Sequence, residues 1–187
     1  MRRGLGLLTA AICIVLSHPV RAEQPNWKEV LNGIDGIVVY CRATTREFYA
    51  DKICDSVSKT AEKELADTGL PVAANGIVYT GPAARKGEAA DLEASRRADG
   101  MKRPLLIRLH IKGTDDNHPA IFVELRSAIE FKSATEEGST GSGISGDLIV
   151  HEVQFVANGP RKKLANYLTS HMAKQMKALA GEIKTGL

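Results

Sequence analysis

Two stretches of this chain repeat large apolar residues at helical spacing, and each needs a flat apolar surface to lie on. Tyr49, Ile53, Val57, Ala61 and Leu65 recur every four residues. Leu164, Leu168, Met172, Met176, Leu179 and Ile183 form a second stripe near the end of the chain. Each pattern predicts a long helix with one buried face. A sheet supplies the surface that both must cover, because five other stretches read as strands. These are residues 34–41, 76–80, 104–113, 119–131 and 147–156. In 104–113, Leu105, Ile107, Leu109 and Ile111 share one face, opposite Leu106, Arg108, His110 and Lys112. In 119–131, Ile121, Val123, Leu125, Ile129 and Phe131 oppose a face that includes Glu124, Arg126 and Glu130. Alternation of this kind belongs to a sheet with one packed side and one wet side, the usual state of antiparallel strands. The expected fold is therefore α+β: a two-layer sandwich, mostly antiparallel, of about five strands with both long helices on one face.

Local signals sharpen the outline. Asn26 and Gly33 bound a short helical turn that carries Trp27 and Leu31. Thr44 and Glu47 have the spacing of a capping box for the first long helix. Gly69 and Pro71 end that helix. Pro160 opens the last one. If the turn between 104–113 and 119–131 closes symmetrically, Arg108 stands near Glu124. The strand 147–156 is apolar on both faces, which predicts a central or covered position. Residues 81–103 have few large apolar side chains and predict a mobile loop, with a short exposed helix over Ala89 to Ala98. The segment 136–146 is a glycine- and serine-rich connector.

The first 22 residues read as a secretory signal peptide. Arg2 and Arg3 form its positive end, Leu5 to Leu16 its apolar run, and Val20-Arg21-Ala22 its cleavage pattern. Residues 23–187 then form a single α+β domain. Cleavage removes three of the 25 basic residues and none of the 22 acidic ones, leaving the mature chain neutral. A neutral domain lacks the basic footprint of a nucleic-acid binder. No later run has the length and apolarity of a membrane span, so a soluble product in the periplasm, or secreted beyond it, is expected.

Processing also removes Cys13, which leaves Cys41 and Cys54 as one pair. Two thiols are half a zinc site, and their spacing is not that of a redox CxxC. In an exported chain an even pair points to a disulfide, here joining a strand end to the following helix.

Other motifs fall short of chemistry. GSTGSGISG lacks the lysine of a phosphate loop and the frame of a nucleophile elbow. HEVQF lacks the second histidine of HExxH. DDNH (115–118) offers oxygen and imidazole ligands, but in a loop where Asx turns explain the same residues. No metal, cofactor or catalytic residue is therefore expected. The most suggestive feature is the last helix, where Arg161, Lys162 and Lys163 crowd a first turn whose dipole disfavours cations. Lys174 and Lys177 extend the basic face beyond it. Solvation is the plain explanation of such a face, and an anionic partner is the functional one.

The order of elements is similar to the N-terminal domains of TolB-like proteins. The likeness rests on IDGIVVYC, the helix after it and the closing strand–helix pair. It is a likeness of architecture and implies no site residue. The expected function is that of a non-catalytic binding or accessory protein of the bacterial cell envelope. Its partner would be a protein or an anionic envelope component. A small periplasmic hydrolase working through His110, His118 and Asp116, or a secreted effector, are the alternatives.

Overall fold

The computed structural model describes residues 25–85, 100–114, 118–132 and 145–187. The expected signal peptide, the Ala89–Ala98 helix, Asp115 and Asp116, and most of the 136–146 connector lie outside the described residues.

A short helix, α1 (Trp27–Val30), leads into strand β1 (Gly36–Ala43). Helix α2 (Phe48–Leu65) follows, then β2 (Val72–Tyr79) and a 3₁₀ turn at Gly81–Ala83. Strands β3 (Pro104–Gly113), β4 (Ala120–Lys132) and β5 (Ser145–Asn158) come next, and helix α3 (Arg161–Gly186) closes the chain. The strands form one sheet in the order β2-β1-β3-β4-β5. The α+β sandwich is as expected, but its sheet is mixed. Strand β1 pairs parallel with both β2 and β3, while β3–β4 and β4–β5 are antiparallel. The parallel half follows from α2, a crossover helix of the length that joins parallel neighbours.

Both helical stripes are buried as expected. Tyr49, Ile53, Val57, Ala61 and Leu65 are fully buried, and so are Leu168, Met172, Met176, Leu179 and Ile183. They meet Ile37, Val39, Leu105, Ile107, Leu109, Ile111, Ile121, Val123 and Leu125 of the sheet in one core. The opposite face of the sheet is not wholly wet. Val38, Tyr40 and Leu106 are buried there in a second, small cluster against Met101.

The bridge Cys41–Cys54 is formed, with its Cα atoms 5.9 Å apart. It ties β1 to the helix packed over it. In the chain-entropy account, closing a loop of this size contributes about 3 kcal/mol. Glycines 33 and 69 adopt positive φ, 76° and 75°, at the two turns where the chain leaves a helix.

Four details depart from expectation. The capping box at Thr44 does not form: Glu47 is itself the N-cap residue of α2, with no side-chain cap bond. Its carboxylate reaches Arg161 at 3.0 Å instead. The β3–β4 hairpin is registered one pair further along, so Arg108 faces Arg126 and His110 faces Glu124. Strand β2 begins at Val72 rather than near Gly76. Strand β5 is an edge and not a central strand. Its apolar residues fall on both faces because a bulge at Val150, opposite the Ser127–Ala128 step, inverts the alternation partway along.

Candidate functional site

Among the described residues, charged side chains gather on two surfaces, one over the helices and one on the sheet face opposite them. The first is the groove where α2 and α3 run side by side. Lys174 and Lys177 line it from α3, and Lys52, Lys59 and Lys63 line it from α2. The spacing of the α2 lysines places them on one helix face. That spacing is visible in the sequence, yet the three were missed because they were not read against a second helix. Asp55 and Glu64 also line the groove. Lys59 pairs with Asp55 at 2.7 Å, and Lys177 approaches Glu64 at 3.7 Å. Lys52 donates to Asn166 at 2.6 Å. Neither Lys63 nor Lys174 has a carboxylate partner among the described residues, so their charges face solvent. The groove encloses about 590 Å³ and is open along its length.

The expected basic face of α3 is thereby divided. Lys174 and Lys177 belong to this groove. Arg161 sits at the far end, bound to Glu47. Lys162 and Lys163 are exposed beside it. Lys184 pairs with Asp67 at 2.8 Å. Part of the basic character of α3 therefore clamps it to α2 and to the turn after it.

The second surface is the face of the sheet opposite the helices, where polar residues form two rungs across the strands. One runs Asn75, Tyr40, Arg108, Arg126, Glu152 from β2 to β5. The next runs Val78, Arg42, His110, Glu124, Gln154. Two arginines facing each other directly repel, and the carboxylates around them resolve this. Arg108 donates to the Tyr40 hydroxyl at 2.5 Å and pairs with Asp147 at 3.1 Å. Arg126 pairs with Glu124 at 2.7 Å and Glu152 at 3.0 Å. Gln154 donates to Glu124 at 3.1 Å and also to Glu152. Glu124 is only 7% exposed, and its partners are what make such burial of a carboxylate tolerable.

The histidines are dispersed among separate environments. His110 lies 3.8 Å from Glu124 on the outer face. Desolvation, with the cations Lys112, Arg42 and Arg108 nearby, holds its pKa below the ordinary value, and Glu124 opposes that shift. His151 lies 3.7 Å from Glu182 on the helix side, and burial lowers its pKa too. Trp27 Nε1 donates to the same Glu182 at 3.1 Å. His171 packs on Phe155 and Tyr167, with ring centroids 4.5 and 5.8 Å away. His118 begins the approach to β4, and Asp116, its expected partner, lies outside the described residues. Among the described residues no three His, Cys, Asp or Glu side chains gather as a metal site requires, and no helix is long and apolar enough to cross a membrane.

No protein-family model matches the chain, and no curated protein matches it. Among solved structures it is similar to a PelC dodecamer from Paraburkholderia phytofirmans, at 17% identity and a TM-score of 0.34. That match covers 79% of this chain and 90% of the other.

Proposed function

We propose that this chain is an exported, non-catalytic binding or accessory protein of the bacterial cell envelope, and that the α2–α3 groove receives an acidic partner. The observation that carries the reading is the meeting of five lysines from two helices in one open groove with only two carboxylates among them. An excess of positive charge in a concave surface raises the local concentration of anionic groups and speeds their encounter. The leader pattern of residues 1–22 and the Cys41–Cys54 bridge support export, because disulfides persist in oxidising compartments. The His110–Glu124 pair gives the hydrolase alternative little support. Its carboxylate is already held by Arg126 and Gln154, on a sheet face crossed by ion pairs.

The test is cross-linking in the periplasm, with a photoreactive residue replacing Thr60 or Ala173 at the groove wall, followed by mass spectrometry. The expected result is a discrete adduct that disappears when Lys63→Glu and Lys174→Glu are combined. Stability should change by no more than about 0.5 kcal/mol, as for surface substitutions generally. Recovery of no partner, under conditions that trap known periplasmic complexes, would count against the reading. So would an adduct indifferent to the two charge reversals.

A further inference from the structure

Among the described residues β5 has no strand on its outer side, and that edge is built to pair with itself. Four of the six exposed large apolar residues among those described gather there: Leu148, Ile149 and Val156 on the strand and Tyr167 on the helix beside it. They line the strand on both faces and at both ends, so its exposed apolar surface follows the edge itself. The strand is 14 residues long and carries no lysine, arginine or proline, the residues that usually guard an edge. Its two carboxylates, Asp147 and Glu152, are turned inward to Arg108 and Arg126. Charge therefore does not protect the edge.

The geometry points to a second copy of this chain as the occupant, with two β5 strands running antiparallel about a two-fold axis at Val153. In that register Glu152 faces Gln154 of the other copy, His151 faces Phe155, and no like charges stand opposite each other. The bulge at Val150 returns Ile149 to the same sheet face as Val156. The axis then sets Ile149 of each copy against Val156 of the other. Leu148 meets Ala157 on the helix side, and Asp147 meets Asn158. Of the two neighbouring symmetric registers, the one centred on Glu152 would place two glutamates face to face, and the one centred on Gln154 would set Glu152 against Val156 and Ile149 against Asn158, so both are disfavoured. Pairing continues the sheet from five strands to ten, satisfies the outward N–H and C=O groups of β5, and covers the four exposed apolar residues. A two-fold axis closes the assembly at two copies, so both new sheet ends are β2 edges.

The experiment is light scattering coupled to size-exclusion chromatography on the full exported chain, at a series of concentrations. The unmodified chain is expected at twice the monomer mass. Ile149→Lys alone and Val156→Glu alone should each halve that mass. Both positions are exposed, at 43% and 68%, so folding is preserved, and circular dichroism checks it. The double variant, which sets lysine against glutamate at both ends of the pairing, should restore the dimer. A monomeric unmodified chain overturns the proposal and leaves the edge to a strand from another protein. A dimer unaffected by either single substitution, or one that the double variant fails to restore, overturns the proposed register and the interface with it.

Discussion

The two edges of the sheet make opposite use of similar material. Strand β2 has eight residues, with a register shift beside Gly76 that bends it away from straight pairing. Its end is latched to the layer behind. The Arg46 guanidinium stacks 3.9 Å over the Tyr79 ring and donates to the Ala83 carbonyl at 2.9 Å. The Tyr79 hydroxyl donates to Asp51 at 2.6 Å. Strand β5 is nearly twice as long, and its bulge lies toward one end, leaving His151–Asn158 regular. Its side chains are held from within, by the ion pairs of the outer face. One edge is closed by local contacts and a covalent staple close behind it, whereas the other, regular beyond its bulge, carries exposed apolar side chains along its length. An edge left in that state is either a hazard or an interface.

The largest effect that separates the two edges is expected from the staple. Replacing Cys41 and Cys54 together by serine should cost about 3 kcal/mol, read as a lowered midpoint in urea with a somewhat steeper slope, because the unfolded chain loses its cross-link and expands. Hydrogen exchange should quicken in β1, α2 and β2 before it quickens in β4 and β5. Equal loss of protection at both edges would show that they do not respond separately.

Glu124→Gln is expected to act from the other side. It removes a buried charge that Arg126 depends on and should cost on the order of 1–3 kcal/mol, with β4 and β5 losing protection first. An unchanged midpoint would mean that Glu152 alone suffices for Arg126.

The smallest effect comes from acidity. His110 and His151 have folded pKa values below their ordinary value, so the unfolded chain takes up protons first as the pH drops. Their contribution is full above the ordinary histidine pKa and is lost as pH falls through the lower folded values. His110 faces Arg42, Arg108, Lys112 and Glu124, and His151 faces Glu182. The melting temperature should therefore decline between about pH 7.5 and pH 5.5. Replacing both histidines by glutamine should reduce that decline to the part contributed by His171, whose pKa burial also lowers. A melting temperature that rises on acidification would reverse the assigned direction.

What could be read from the sequence follows from which patterns are local. The two helical stripes and the inward residues Leu105, Ile107, Leu109 and Ile111 of β3 and Ile121, Val123, Leu125 and Ile129 of β4 depend on period alone, and they were legible in the sequence. The disulfide was legible because the expected removal of residues 1–22 would leave only one pairing. The parallel pairing of β1 was not, since nothing in IDGIVVYC records which neighbour it will take. The edge position of β5 was misread for a specific reason: a strand apolar on both faces reads as central, and an unguarded edge with a bulge has the same composition. The lysines of α3 were seen, but the groove depends on Lys52, Lys59 and Lys63, which acquire meaning only when α2 lies alongside.

The rungs on the outer face also bear on how the register of the sheet is set. A β3–β4 hairpin that slips by two residues buries the same apolar side chains, because each keeps its face. In the slipped hairpin Arg108 would meet Glu124, a favourable pair, whereas the native hairpin sets Arg108 against Arg126. By that facing pair alone the slip is favoured, although Glu124 already pairs with Arg126 within β4. The carboxylates that reverse the preference, Asp147 and Glu152, arrive on β5. The charge balance of the native β3–β4 register is therefore completed by the strand beside it, since Arg108 and Arg126 find Asp147 and Glu152 only when β5 is paired.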